Sequence, residues 1–201
     1  MPVPTIDFWY DFASTYSYVA AMRITALAAG AGVNVRWRPF LLGPIFQAQG
    51  LTTSPFVTYP VKGSYMVRDM ERLCAEIGIG FRMPSAFPQN SLAAARMALV
   101  GLEEGWGEDF SRAVYRAEFA DGLAISEPSV IAAILRKLER PVEAAMTRAQ
   151  SDAIKSRLRE QTADAQGHKI FGAPSFTTAD GELFWGNDRL EQAIAWAKRR
   201  D

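Results

Sequence analysis

Two hydroxyls, Ser14 and Ser17, sit three residues apart in DFASTYSYVA, where a short apolar run gives way to what reads as a helix. A serine at such a start accepts a hydrogen bond from the unpaired N–H groups of the first turn, so Ser14 or Thr15 serves as an N-cap. The same N–H groups carry positive potential and favour an anion, a thiolate included. Ser14 is therefore either a cap or a hydrogen-bond donor to a bound thiolate, and this stretch alone leaves both open. Ser17, one turn in, faces the interior or bonds its own backbone. Two later stretches carry comparable signals. KIFGAPSF (Lys169–Phe176) holds the pair Ala173-Pro174, and in FWGNDRL (Phe184–Leu190) Gly186 permits a tight turn before Asn187 and Asp188. The Asp188 carboxylate either caps a helix or receives the ammonium of a ligand. The single cysteine, Cys74, excludes an intramolecular disulfide and any two-cysteine redox motif, and its apolar setting in MERLCAEIGI reads as a buried structural thiol. One histidine, His168, and no paired cysteines argue against a structural zinc, so no metal site is expected.

The elements that must position these residues follow from periodicity. Thr5–Tyr10 is short, apolar and aromatic, as a buried strand is. A helix over Tyr16–Ala29 stops at GAG, Gly30–Gly32. Val33–Phe40 alternates like a second strand, which makes a β-α-β unit whose strands are expected to lie parallel. Pro39–Pro60 reads as loop. Helical patterns follow over Val61–Ile77, Asn90–Glu104, Glu108–Ala120, Glu127–Leu138 and Val142 to about Gln166, the last in one piece or two. Ser175–Thr178 and Glu182–Trp185 flank the turn signal Ala179-Asp180-Gly181, and Asp188 can cap a final helix ending near Lys198.

Strands at both ends with helices between give β-α-β … β-β-α, the thioredoxin plan. The expected fold is α/β and thioredoxin-like, from residues 1–40 and 167–201, with residues 41–166 as a loop and a large all-helical insertion. Redox members of this plan carry C-x-x-C at the helix start. Here Ser14-Thr15-Tyr16-Ser17 has a hydroxyl at each end and no sulfur. It cannot cycle between dithiol and disulfide, but it can hold a thiol brought by a cofactor. A free thiol has a pKa of about 8.5. Lowering that by two units takes roughly 2.7 kcal/mol, within reach of a helix end plus one hydrogen bond to the ionised sulfur. The plan also makes Ala173–Pro174 an expected cis peptide opposite that helix start, with Ala173 offering its backbone N–H and C=O to an extended peptide.

Composition narrows the partners. The chain has 201 residues, 49% hydrophobic and 22% charged, with Lys plus Arg and Asp plus Glu both 22. A net charge of zero, with basic residues spread along the chain, points to neither nucleic acid nor an anionic membrane. No window has the apolar length of a membrane span. The first residues lack a basic start and a long apolar run, so the cytoplasm is the expected location.

Taken together, the motifs resemble the 2-hydroxychromene-2-carboxylate isomerase family, close to kappa-class glutathione transferases. The opening motif of that family, F-D-F/L-x-S-P-Y/F-S/T-Y, is matched by YDFASTYSY. YPVKGSYMVRDMERL, FPQNSLAAARMAL, FGAPSF and FWGNDRLE resemble its later motifs. The resemblance implies glutathione as cofactor, a small aromatic substrate, and a homodimer. It implies that Ser14 bonds the cofactor sulfur, that Ala173 and Pro174 meet its cysteinyl part, and that Asn187 and Asp188 hold its γ-glutamyl end. Lys62 falls near the active site, toward a carboxylate, and Asn90 near the substrate. Lys62, Tyr65, Asp69 and Arg72 also have helical spacing, so a solvated, salt-bridged face is the other reading. The family has Pro where Thr15 stands, and Thr15 either competes with Ser14 for the sulfur or caps the helix. Thr53 or Ser54 takes the place of a loop Asn. Trp9, Tyr10, Phe46, Phe56 and Phe87 are candidates for an aromatic pocket. The activity implied is isomerisation of 2-hydroxychromene-2-carboxylate. The alternatives are a kappa-like transferase and a non-catalytic peptide-binding module.

Overall fold

The computed structural model describes residues 3–199; Met1, Pro2, Arg200 and Asp201 lie outside the described residues. Strand β1 (Thr5–Tyr10), helix α1 (Thr15–Ala31) and strand β2 (Asn34–Pro39) form the expected β-α-β unit. The strands run parallel, with Thr5 opposite Asn34 and Tyr10 opposite Pro39. Helix α1 starts where Ser14 leaves helical geometry, and its side chain accepts from the Ser17 N–H. It ends at Gly32, whose φ of 69° is open to glycine at no steric cost, and whose N–H returns to the Ala28 and Ala29 carbonyls.

The central region holds α2 (Leu42–Ala48), α3 (Pro55–Thr58), α4 (Pro60–Glu76), α5 (Leu92–Glu104), α6 (Gly107–Phe119), α7 (Pro128–Lys137), α8 (Val142–Ala149) and α9 (Asp152–Gly167). The segment expected as loop, Pro39–Pro60, therefore contains two short helices. Pro55 stands at the first turn of α3, where its missing N–H has no helical partner to lose. The stretch from Val142 divides in two at Ser151, which caps α9 by accepting from the Ile154 N–H.

The chain then returns with β3 (Ser175–Thr178) and β4 (Leu183–Trp185), followed by a 3-10 turn at Asn187–Arg189 and α10 (Leu190–Ala197). The sheet order is β2-β1-β3-β4, with β1–β3 and β3–β4 antiparallel. This is the thioredoxin-like sheet with a helical insertion between its halves.

Strand alternation divides the core. Ile6, Phe8 and Tyr10 face a large cluster shared with α1, α4, α5, α6 and α10. Trp9 faces the other side with Phe40, Leu42, Ile45, Ala165 and Ile170. Asp7, on that second face, is held by Arg36 at 2.7 and 2.8 Å and by Arg38 at 3.2 Å. Because β1 is covered on both faces, its aromatics are core. Trp9 donates to Thr177 Oγ1 at 2.9 Å, and the Tyr10 hydroxyl pairs with Ser111 Oγ at 2.8 Å.

Candidate active site

The start of α1, the N-terminal half of α4, and the segments flanking β3 and following β4 converge on one cleft of about 1510 Å³. Ser14 lies in its wall, 8% exposed. Its Oγ accepts from the Ser17 N–H at 3.2 Å and donates to the Ala173 carbonyl at 2.9 Å. So Ser14 caps α1 and at the same time ties it to the Ala173–Pro174 segment, whose peptide bond is cis. The turn before Ser14 is fixed by Asp11. Its carboxylate accepts from the Ala13 N–H at 2.9 Å and the Leu42 N–H at 2.6 Å, joining the α1 approach to α2. Burial pushes the Asp11 pKa up, and the hydrogen bonds from Leu42, Ser91 and Ala13 oppose that shift.

Thr15 does not cap. It is 1% exposed, and its Oγ1 has no hydrogen-bond partner among the described residues. Ser17 faces the interior, fully buried, and its Oγ is likewise without one. Gly186 lies across the cleft with φ 108° and ψ 147°, and its N–H donates to the Pro174 carbonyl at 2.9 Å. That bond fixes the following turn beside the Ala173 edge. Asn187, 4% exposed, accepts from Arg23 of α1 at 3.4 Å. Asp188 is exposed and pairs with Arg189 at 2.9 Å. It does not cap α10: it sits inside the 3-10 turn, and α10 starts at Leu190 with no side-chain cap bond.

The far wall comes from α4 and its neighbours. Lys62 is exposed, its Nζ 5.9 Å from the centre of the Tyr59 ring. Asp69 accepts from Arg72 at 2.8 Å and from the Tyr16 hydroxyl at 2.9 Å. Asn90 lines the cleft while its Oδ1 accepts the Leu92 N–H at 3.0 Å, at the start of α5. Thr53 and Ser54 are both in the wall, and Ser54 caps α3.

The structure thus brings Ser14, Thr15, Lys62, Asn90, Ala173, Pro174, Asn187 and Asp188 to one cleft, with Phe46, Phe56 and Phe87 beside them. It does not bring Trp9 or Tyr10 there. Both are fully buried, and burial also raises the Tyr10 pKa. Sequence reasoning missed Tyr16 and the exposed pair Phe171 and Trp185, whose rings pack 4.9 Å apart on the rim. Tyr16 carried one usable signal, a polar aromatic inside the helix start itself. Cys74 is buried away from the cleft, and desolvation pushes its thiol up to about 11, as an unreactive structural thiol requires. Among the described residues no cluster of His, Cys, Asp and Glu is arranged to hold a metal, and no helix is long and apolar enough to cross a membrane.

A DSBA-like thioredoxin domain matches residues 5–194. A 2-hydroxychromene-2-carboxylate isomerase from Pseudomonas putida is 31% identical over 189 residues, covering 92% of this chain and 90% of that protein. The chain belongs to the 2-hydroxychromene-2-carboxylate isomerase family. A solved structure of a 2-hydroxychromene-2-carboxylate isomerase superposes with a TM-score of 0.86 at 29% identity, over 96% of this chain and 93% of that one. The isomerase family also borders the kappa-class transferases. Glutathione S-transferase kappa 2 of Caenorhabditis elegans is 28% identical over 204 residues, or 93% of this chain and 88% of that protein.

Proposed function

We propose that this protein is a glutathione-dependent isomerase that interconverts 2-hydroxychromene-2-carboxylate and trans-o-hydroxybenzylidenepyruvate. The observation that carries the reading is the Ser14 hydroxyl, set between the first turn of α1 and the Ala173 carbonyl in the wall of an aromatic cleft. Glutathione is a peptide with a thiol, and the residues present fit it. Ser14 supplies a hydroxyl donor beside a helix start, Ala173 a backbone edge, and Asn187 with Asp188 a polar end. Lys62 supplies a cation for a carboxylate. A single small ligand occupies about 300–1,000 Å³, and this cleft is larger, so a tripeptide and a bicyclic acid fit together.

When bound, glutathione supplies a thiolate that adds reversibly to a conjugated carbon, so that the former double bond can turn. The rest of the work belongs to the protein. A hydroxyl has one proton to give. Ser14 gives its proton to Ala173 in this structure. A peptide N–H arriving at that carbonyl competes for it, which frees the Ser14 proton for the sulfur. The helix start adds positive potential, and both act before the substrate reacts. Phe46, Phe56 and Phe87 give the aromatic ring an apolar wall.

The test is a spectral assay of 2-hydroxychromene-2-carboxylate with and without glutathione, coupled to a count of free thiol. The isomerase reading expects a thiol-dependent shift to the trans product with thiol conserved. Stoichiometric thiol loss would instead favour a kappa-like transferase, the activity named for the Caenorhabditis elegans relative. Absence of glutathione binding at millimolar concentration in calorimetry would leave only a peptide-binding module.

A further inference from the structure

Two chemical demands arise in the proposed isomerisation, and the thiol meets one of them. Opening the chromene ring is the other. The hemiketal O–H must lose its proton, and the phenolic oxygen must gain one. A group that moves a proton between two neighbouring oxygens needs a carboxylate or its equivalent in the cleft wall.

Three carboxylates line the cleft: Asp11, Asp69 and Asp188. Asp11 is 3% exposed, and each of its oxygens is already bonded to a backbone N–H. Asp188 is paired with Arg189, on the side assigned to the γ-glutamyl end. Asp69 remains. Its side chain is 22% exposed, on the wall that also holds Phe56 and Lys62. Arg72 donates to one of its oxygens at 2.8 Å and Tyr16 to the other at 2.9 Å, so its orientation is set from two helices. The Tyr16 ring packs 6.1 Å from Phe56, which keeps that hydroxyl on the aromatic side. The titratable groups around Asp69 are Tyr16 from α1 and Tyr65 and Arg72 from α4, with Lys62 on the same wall. The adjoining α3, PFVT, brings none.

We propose that Asp69 moves the proton between the two oxygens of the chromene hemiketal, with Tyr16 and Arg72 as positioning residues. The proposal rests on the isomerase reading. In the opening direction the hemiketal O–H gives its proton to the Asp69 carboxylate, and its electron pair forms the carbonyl. The ring C–O bond breaks and its pair stays on the phenolic oxygen. That oxygen then takes the proton back from Asp69. Closure is the reverse, nothing is oxidised, and no co-reactant is consumed. Burial, then the Asp69 charge, push the Tyr16 pKa upward, so Tyr16 stays a hydrogen-bond donor throughout.

The test separates the two demands. Proton NMR exchange between the closed chromene and the open cis form is measured without glutathione, so the result stands apart from thiol chemistry. Wild type is expected to speed exchange at least tenfold over buffer, Asp69→Asn to lose that gain, and Asp69→Glu to recover part of it. Tyr16→Phe keeps the ion pair and is expected to cut exchange about threefold to tenfold, which decides the matter if Asp69→Asn does not fold. Turnover with glutathione is then compared while the bound thiol is titrated. Asp69→Asn should lower kcat with the thiol titration unmoved. Exchange equal in wild type, Asp69→Asn and Tyr16→Phe overturns the proposal while leaving the isomerase reading intact. Wild type inactive on the chromene with glutathione overturns both.

Discussion

Ser14 shows how one hydroxyl holds two roles. It accepts at the helix start and donates to Ala173, and both bonds are used before any ligand arrives. Ser14→Ala removes both. Loss of an N-cap costs about 1 kcal/mol, or roughly 2–4 °C in a chain of this size. Loss of a donor to sulfur is expected to raise the pKa of bound glutathione by about one unit, equivalent to about 1.4 kcal/mol. Thiolate absorbance against pH measures it, and an unmoved titration removes Ser14 from the thiol chemistry. The cap and the ligand readings of Ser14 looked like rivals in the sequence because a linear stretch does not show what lies opposite. Ala173 is 159 residues away, and only the fold sets it there. Tyr10 was misplaced for a related reason. Every residue of β1 after Thr5 is buried, so alternation alone could not say which face looked toward the cleft. Asp69 was ambiguous because a charged stripe at helical spacing reads the same against solvent and against a cavity.

Among the elements, the long ones were legible and the short ones were not. The β-α-β unit, the final hairpin and the five long helical patterns follow from period, caps and turn residues. Helices α2 and α3, seven and four residues long, are too short to show a period, and their Pro and Gly content resembles a loop. The turn after β4 was misread in detail because Gly186 adopts φ 108°, which side-chain-bearing residues rarely reach. This takes the chain into a 3-10 turn in place of a capped helix. Gly186→Ala is expected to cost about 1–3 kcal/mol of backbone strain. A β-carbon there would also lie 2.5 Å from Asp188 Oδ1. The turn would shift Asn187 and Asp188 together, so glutathione affinity should fall more than Ser14→Ala lowers it. Calorimetry with each variant compares them.

At the scale of the molecule, the fold class was readable from strands at both ends and helices between, but its internal polar spots were not. Glu118 of α6 is fully buried, and neither carboxylate oxygen has a partner among the described residues. Desolvation, then the nearby Asp11, push its pKa well above the usual carboxylate range. The folded chain therefore holds a proton that the unfolded chain releases above about pH 4.3. Stability falls as pH rises from there toward the folded pKa, by at most about 1.4 kcal/mol per unit from this group. Glu118→Gln lacks that slope. Its melting temperature relative to wild type should climb between pH 5 and pH 8, and a constant difference would show that Glu118 is not the source. The sheet order has a consequence during synthesis. Strand β1 lies between β2 and β3, and β3 begins only at Ser175. A nascent chain on the ribosome therefore carries β1 with one edge open while the whole helical segment is made. An unpaired apolar edge invites association with other chains. Messages cut short before Ser175 should yield chains that aggregate or pass to chaperones and proteases, however well their helices form.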